Sequence, residues 1–281
     1  MNRKLQYLYI AFTCLLAVTQ ATRDVITFNS GTLACDMVTL MPECGKVVKC
    51  YGKRLVVDNT ACQDPSTRSA ALWWSRFQDI VERIESDPLA TSAAFDVMGS
   101  DIVAYSERIW PHRQMGTESM WKRSNGSDTT VVAIVDTGLH RELMSPVFKH
   151  GVLPGFDFVT DTILSNDQDG RDDNYGEPME PPGVCGSSQT WHGSQVAAMV
   201  AGQDGNYRGT ATNVKILPVR ALGKCAQGHA SDVADSIIWA SGMAVDGIQA
   251  NPNKARIITL AFNGVGPCPS FLESSVRYAV E

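Results

Sequence analysis

Two short segments hold the residue types from which a hydrolytic site is built. The first is the apolar run Val131–Val135, which ends at Asp136 and is followed by Thr137 and Gly138. The second places His192 at the start of a glycine-containing turn into a run of small residues. An imidazole acts as a general base when a carboxylate fixes its tautomer and orientation. The sequence therefore predicts a base, His192, and an acid that orients it, Asp136.

The elements around these residues predict an α/β fold, in which a parallel sheet carries helices on both faces. The predicted strands are short apolar runs at 129–135, 214–222 and 255–262. Two predicted helices lie between them, at 196–201 and 231–241. A buried parallel strand delivers a functional side chain at its carboxyl end, which is where Asp136 stands.

The last predicted element is a helix that starts near Ser270. Ser270 and Glu273 have the spacing of a capping box, and Leu272 and Val276 begin an apolar stripe. No glycine, asparagine or proline ends this helix before Glu281. We therefore expect a sheet that is incomplete at its carboxyl-terminal side, as in a fragment or a truncated gene product.

The amino terminus has the composition of a targeting segment. Basic residues precede an apolar stretch that ends in small residues at Ala21, so residues 1–21 are predicted to be a secretory signal peptide. A transmembrane anchor is the alternative, although a span needs roughly 20 apolar residues. No later segment reaches that length, and we expect an exported, secreted protein without stable membrane insertion.

Residues 22–115 form a second predicted region, and residues 116–281 form the third. The second region contains a cysteine cluster and a helix predicted over 70–86, which ends at Asp87 because the residue before a proline avoids helical geometry. Two roles are open for this region: a small disulfide-stabilised domain without chemistry, or a pro-segment that covers the active site of the next domain.

Eight cysteines are present, and Cys14 lies in the predicted signal peptide. The others are Cys35, Cys44, Cys50, Cys62, Cys185, Cys225 and Cys268. In an exported protein the first four of these are expected to form two disulfides, with three possible connectivities. Zinc is the alternative, but the sequence has no C-x-x-C pair.

Charge excludes one class of partner. The formal net charge is −6, which argues against binding to nucleic acid or to an anionic membrane surface. The apolar fraction of 44% is that of an ordinary globular protein.

The ordered motifs resemble those of the subtilisin-like serine proteases (subtilases), in their secreted bacterial-type branch. The family pattern is D-T-G, then H-G-T-H-V-A-G, then G-T-S-M-A, and this sequence has D-T-G at 136–138 and H-G-S-Q-V-A at 192–197. Further similarity lies at 155–158, 209–211, 216–220 and 237–240. The resemblance covers about 121–281, the amino-terminal part of a catalytic domain. It implies an endopeptidase acting on polypeptides, with His192 as general base and Asp136 as its orienting acid.

The sequence also departs from the family pattern. Ser194 and Gln195 replace the threonine and second histidine of H-G-T-H. Ala261, Phe262 and Asn263 stand where the family has a serine-leucine-glycine edge that binds substrate backbone. Because glycine permits close backbone approach, the Asn263 side chain is expected to crowd an incoming peptide strand.

No G-x-S-x-G or G-T-S-M-A segment occurs up to Glu281. The resemblance implies that the nucleophile and the oxyanion asparagine lie beyond this residue, and loss of the serine costs about 10⁶-fold in turnover. We therefore expect this chain alone to be inactive. An inactive remnant or pseudoprotease that acts by binding is the alternative. An aspartic protease would need a second D-T-G motif and an all-β fold, and neither is visible.

Two further expectations concern the polar stretch between 160 and 190. Its carboxylates Asp167, Asp169 and Asp173 suggest a structural calcium site, although their spacing does not fit an EF-hand, and a solvated acidic loop is the alternative. The resemblance implies no cofactor for the chemistry itself. It also implies that Cys185 and Cys225 are disulfide partners.

Overall fold

The structure is a computed structural model. It describes residues 23–29, 34–35, 46–51, 53–58, 81–91, 110–180, 184–185, 191–204, 207–245, 247–264 and 267–281. The predicted signal peptide and residues 70–80 lie outside these ranges, so expectations for them stay predictions. Within these ranges no helix has both the length and the apolar character needed to cross a bilayer.

The described strands are β1 (Arg23–Phe28), β2 (Lys46–Tyr51), β3 (Arg54–Asp58), β4 (Val81–Ser86), β5 (Leu89–Thr91), β6 (Val131–Asp136), β7 (Phe156–Asp157), β8 (Gln203–Asp204), β9 (Tyr207–Arg208), β10 (Lys215–Arg220), β11 (Gln227–His229), β12 (Ile257–Leu260) and β13 (Asn263–Gly264). The described α-helices are α1 (Trp110–Gln114), α2 (Thr117–Trp121), α3 (Arg141–Met144), α4 (Thr162–Ser165), α5 (His192–Ala201), α6 (Ala230–Ala240) and α7 (Ser270–Val280).

A parallel sheet in the order β12-β6-β10-β7 forms the centre of the molecule. The residues of β6 alternate between two apolar clusters. Ala133 and Val135 pack with α6, whereas Val132 and Ile134 pack with α5 on the opposite face. Both faces of β6 are therefore buried, which explains its continuous apolar run and confirms the predicted α/β fold with helices on both faces.

A second, antiparallel sheet is formed by the amino-terminal region in the order β2-β3-β1-β4. On one face, Ile26, Phe28 and Leu55 form a small separate core. On the other face, Val25 and Val56 belong to the large cluster that contains α6 and α7. The amino-terminal sheet is therefore packed against the helices that cover the central sheet.

The helix predicted over 70–86 is wrong for residues 81–86, which form strand β4 and pair with β1. A bulge in the ladder, between Thr27 and Phe28, pairs Phe28 with Val81 and Thr27 with Arg83. Because of this bulge, Val81 and Ile84 both pack on the small core although they are three residues apart. A three-residue spacing of apolar residues is also typical of a helix, which explains the wrong prediction. Pairing with β1 makes this segment a strand.

The carboxyl-terminal helix α7 is present, but the predicted capping box is wrong. Ser270 is the first helical residue rather than the cap, and the preceding Pro269 makes no side-chain cap bond. Instead, the Ser270 backbone N–H and hydroxyl donate to the Glu85 carboxylate of β4, at 2.8 and 2.6 Å. The acceptor at the start of α7 is therefore a side chain from a distant strand and not one from the helix itself.

Two disulfides lie among the described residues. Cys35 is bonded to Cys50, which is one of the predicted pairings within the amino-terminal cluster. Cys185 is bonded to Cys225, as the family resemblance implied. Cys44 and Cys62 lie outside the described residues, and the Cys268 thiol is exposed.

Candidate active site

Asp136 and His192 meet at the carboxyl edge of the central sheet. Asp136 is the last residue of β6 and His192 the first residue of α5. The His192 Nδ1 atom lies 2.8 Å from Asp136 Oδ1 and 3.0 Å from Oδ2, and the two residues are 2% and 1% exposed. A carboxylate at Nδ1 holds the proton there, so Nε2 is left as the nitrogen that can accept one.

The turns that carry the two side chains are packed backbone to backbone. Gly138 has φ of +104°, and a Cβ atom there would lie 2.5 Å from the Tyr175 carbonyl oxygen. A Cβ atom on Gly193 would lie 2.4 Å from the Gly138 carbonyl oxygen. Both glycines of the two motifs are therefore needed for this approach, which brings the acid and the base together.

Hydrogen bonds then fix the orientation of the turns. The Thr137 N–H donates to Asp136 Oδ1 at 2.7 Å, and the Gly193 N–H donates to Thr137 Oγ1 at 3.0 Å. Ser194, which replaces the family threonine, accepts from the His140 N–H at 2.9 Å. The serine hydroxyl thus links the start of α5 to the segment after β6.

The local charges favour the protonated imidazole. Burial alone would lower the pKa of His192, because it disfavours the charged form. The hydrogen bond and negative charge of Asp136, together with the charge of Glu177, outweigh burial and raise the pKa of His192 above its usual value near 6.5. A base tuned in this direction accepts a proton more readily than a free imidazole does.

The predicted substrate-binding residues lie beside an extended strand of the chain itself. Strand β5 is held between β11 and β13 in a three-stranded antiparallel sheet. Thr91 pairs with Gln227 on one side and with Asn263 on the other, and Ala90 pairs with Gly228 and Gly264. We call the channel between β11 and β13 the strand groove.

Of the three predicted substrate-binding residues, Asn263 is the one that belongs to the wall of the strand groove. Its side chain is exposed and its backbone pairs with Thr91, so the side chain does not prevent β5 from pairing here, and its effect on a substrate strand stays a prediction. The half-buried side chains of Ala261 and Phe262 pack on the two clusters that cover the central sheet. They stand between β12 and the groove rather than along it.

Contacts outside the strand groove also hold the amino-terminal region. The buried carboxylate of Asp87 accepts from the Ser231 N–H at 2.8 Å and from its hydroxyl at 2.6 Å, in the first turn of α6. Glu85 makes the equivalent pair of bonds to Ser270 at the start of α7. Two acids that flank the end of β4 therefore satisfy backbone donors at the starts of two helices.

Two buried carboxylates and two partly buried cations lie at the start of α6, and we call this group the α6 cluster: Lys49, Arg171, Asp232 and Asp235. The Lys49 ammonium of β2 lies 3.0 Å from Asp232 and 2.9 Å from Asp235. Arg171 lies 3.1 and 2.5 Å from the same two carboxylates. Burial would raise the pKa of both acids, but the two cations outweigh it and lower the pKa of each.

The structure does not bring Asp167, Asp169 and Asp173 together as a ligand set. Asp167 accepts from the buried guanidinium of Arg220 at 2.7 Å. In the described part of the chain, the one group of three ligand-type side chains within 4.8 Å of one another is Glu180, Cys185 and Cys225, and both sulfurs are in a disulfide. Arg220 thus supplies the positive charge at Asp167, and calcium binding stays an untested prediction.

The sequence profile of the subtilase family matches residues 127–280, more than half of the chain. The chain belongs to the subtilase family. An extracellular protease of Xanthomonas campestris is 33% identical over 72% of this subtilase chain and 37% of its own length. An extracellular basic protease of Dichelobacter nodosus is 33% identical over 53% of this chain and 26% of its own. The chain thus spans well under half the length of these relatives.

Solved structures agree with this subtilase assignment. A protease of Pseudoalteromonas arctica is 38% identical, with a TM-score of 0.50 over 57% of this chain and 48% of that one. The epidermin leader peptide processing serine protease of Staphylococcus aureus has a TM-score of 0.61 over 93% of this chain and 57% of its own, at 11% identity. The second likeness shows the fold alone.

Several residues at this site belong to no sequence motif and were not predicted. Glu177 and Arg220 stand next to the predicted pair, and Lys49 completes the α6 cluster from far along the chain. Asp232 and Asp235 did carry a signal, because two acids three residues apart on an otherwise apolar helix need buried partners. Strand β5 gave no signal, since three residues are too few for a pattern.

Proposed function

We propose that this protein is a secreted serine-type endopeptidase in which His192 is the general base and Asp136 its orienting acid. The observation that carries the proposal is the 2.8 Å hydrogen bond between these two buried side chains at the carboxyl edge of a parallel sheet. Family membership and relatives named as extracellular proteases support polypeptide substrates and export.

The geometry suits acyl transfer to a hydroxyl nucleophile. A serine hydroxyl that approaches His192 Nε2 gives up its proton to the ring while its oxygen attacks the substrate carbonyl. The Asp136 carboxylate stabilises the imidazolium that forms, and the ring later returns the proton to the leaving amine. The strand groove supplies the other requirement, because its two edges pair with extended backbone regardless of side chain.

The direct test uses the product of the full reading frame, treated with a fluorophosphonate that reacts only with an assembled serine–histidine–aspartate site. We expect labelling of the wild type and loss of labelling in His192→Ala. Casein hydrolysis should follow the same order. A wild type that stays unlabelled while it still binds peptides would contradict the proposal and favour the pseudoprotease alternative.

We further propose that the amino-terminal region is a pro-segment that occupies the substrate groove. Its support is the position of β5, which pairs with both groove edges as an extended substrate would. The bond of Glu85 to the start of α7 and that of Asp87 to the start of α6 hold the region in place around it.

A proline in the groove tests this second proposal. Ala90→Pro removes a backbone donor within β5, so it should weaken the ladders and raise the hydrolytic rate of the unprocessed protein. Leu89→Ala is the matched control, since Leu89 is 38% exposed and its truncation leaves the backbone intact. An equal rate in both variants and the wild type would show that β5 does not obstruct substrate.

A further inference from the structure

We propose that Glu177 is a positioning residue for His192, which it holds through Thr137 and influences through its own charge. The inference rests on the proposed role of His192 as general base. Glu177 lies in the polar stretch after α4, and the D-T-G and H-G segments of this sequence do not include it.

The first link is a relay through the Thr137 hydroxyl. Thr137 Oγ1 donates to Glu177 Oε2 at 2.7 Å, and the same oxygen accepts from the Gly193 N–H at 3.0 Å. A hydroxyl has one proton and two lone pairs. Because its proton is directed to Glu177, a lone pair is directed to Gly193, the residue next to His192. Glu177 thus sets the direction of the bond that anchors the first turn of α5.

The second link is the backbone around Glu177. Its N–H donates to the Leu139 carbonyl oxygen at 3.3 Å, and the Leu139 N–H donates to the Tyr175 carbonyl oxygen at 3.2 Å. These bonds lay the segment against the turn at Gly138, where a Cβ atom would lie 3.2 Å from the Glu177 nitrogen. The carboxylate is therefore presented from a fixed backbone rather than from a mobile loop.

The third link is electrostatic. Asp136 and Glu177 both place negative charge near the His192 imidazolium, and each raises the pKa of His192 against the effect of burial. Asp136 makes the direct hydrogen bond, whereas Glu177 acts across Thr137. Two carboxylates from different elements thus favour the protonated ring.

Other charged and titratable groups near the pair have partners of their own. Arg220 of β10 is in register with Asp136, and its guanidinium is bonded to Asp157 and Asp167. His140 packs edge-on against the ring of Trp191, with 4.8 Å between the ring centroids.

The experiment follows the titration of the His192 ring by NMR in the full chain, with nitrogen-labelled histidine and a His192→Gln variant for assignment. Glu177→Gln keeps an acceptor for Thr137 and removes only the charge, so the titration midpoint of His192 should move to lower pH. Glu177→Asp, which keeps the charge, should restore most of the wild-type midpoint. Glu142→Gln removes an exposed charge on α3 and should leave the midpoint unchanged.

A midpoint in Glu177→Gln equal to that of the wild type would overturn the proposal and leave Glu177 a purely structural residue. A loss of thermal stability in Glu177→Gln without a shift of the His192 midpoint would also overturn the proposal. The NMR titration does not depend on hydrolysis. An inactive chain in which Glu177→Gln still shifts the His192 midpoint would therefore refute only the proposed function. In an active full-length protein, the acidic limb of the kcat/KM profile should move to lower pH in Glu177→Gln.

Discussion

The Asp136–His192 pair and the α6 cluster both bury carboxylates against basic side chains, yet the two groups have different roles. In the pair, the partner is an imidazole that gains and loses its proton near neutral pH. In the cluster, the partners are the ammonium of Lys49 and the guanidinium of Arg171, each of which forms ion pairs with both carboxylates. The first arrangement can move a proton, and the second can only hold elements together.

The comparison shows that a buried carboxylate does not by itself mark a catalytic site. Asp232 and Asp235 are fully buried, and cations from two separate segments hold their pKa values low. Asp136 is as deeply buried, but it faces a base that is held at one nitrogen and leaves the other for chemistry. The identity of the partner decides the role.

The largest expected effect comes from breaking the pair. Asp136→Asn keeps the shape but allows the wrong imidazole tautomer, so kcat of the full-length protein should fall by about 10⁴-fold. The midpoint of thermal unfolding should change little. Asp128→Asn, which changes an exposed acid in the segment before β6, serves as control and should keep the wild-type rate. A loss of less than tenfold in Asp136→Asn would remove Asp136 from the mechanism.

Breaking the α6 cluster should instead affect stability. Lys49→Met leaves two buried carboxylates against one guanidinium, and removal of one partner of a buried ion pair costs about 3–5 kcal/mol. Urea unfolding of the full chain measures this cost. Lys46→Met, at an exposed position of the same strand, should cost much less. Equal losses in the two variants would mean that Arg171 alone neutralises the cluster.

Loss of the Glu85 carboxylate should lower the stability less than breaking the α6 cluster does. Glu85→Ala removes the acceptor for the Ser270 N–H and hydroxyl at the start of α7, and loss of such a cap costs about 1 kcal/mol. The unfolding free energy should fall by that amount. Glu82→Ala, exposed on the same strand, is the control. No difference between them would show that water replaces Glu85.

A pH slope in stability is expected from Asp157, which contacts Arg220 in the interior. Burial raises the pKa of Asp157 to about 7, against the opposing charge of Arg220. The unfolded chain loses this proton at lower pH, so the contribution of Asp157 to stability should decrease as pH rises from about 4 to 7. Asp157→Asn should flatten the pH dependence of the urea midpoint in that interval. An unchanged slope would contradict this assignment.

Much of the fold was predictable because it is encoded locally. The apolar run of β6 ends at Asp136, and the run of small residues after His192 forms α5, so order along the chain places both residues at one sheet edge. Even Pro218 within β10 is tolerated, because β7 pairs only with Val219 and Arg220 beyond it. Pattern and packing agree at these positions.

The misjudged elements depend on distant partners. The bulge in the β1–β4 ladder gave the apolar residues of β4 a helical spacing, and the acceptor for Ser270 came from Glu85 rather than from its own helix. Glu177 could not be assigned from sequence, because its position follows from how the loop lies on the turn at Gly138. A single sequence records neither the pairing partner nor the loop path.

Only three residues of β5 form the ladders within the strand groove, so this occupant is a weak ligand taken alone. Its occupancy depends on tethering, which gives a linked segment an effective concentration on the order of millimolar or above. Severing the chain between Thr91 and Trp110 would turn that segment into an ordinary competitor, governed by bulk concentration. The same five residue pairs, three with β11 and two with β13, would then keep substrate out of the groove before the cut and admit it afterwards, with no change in the groove itself.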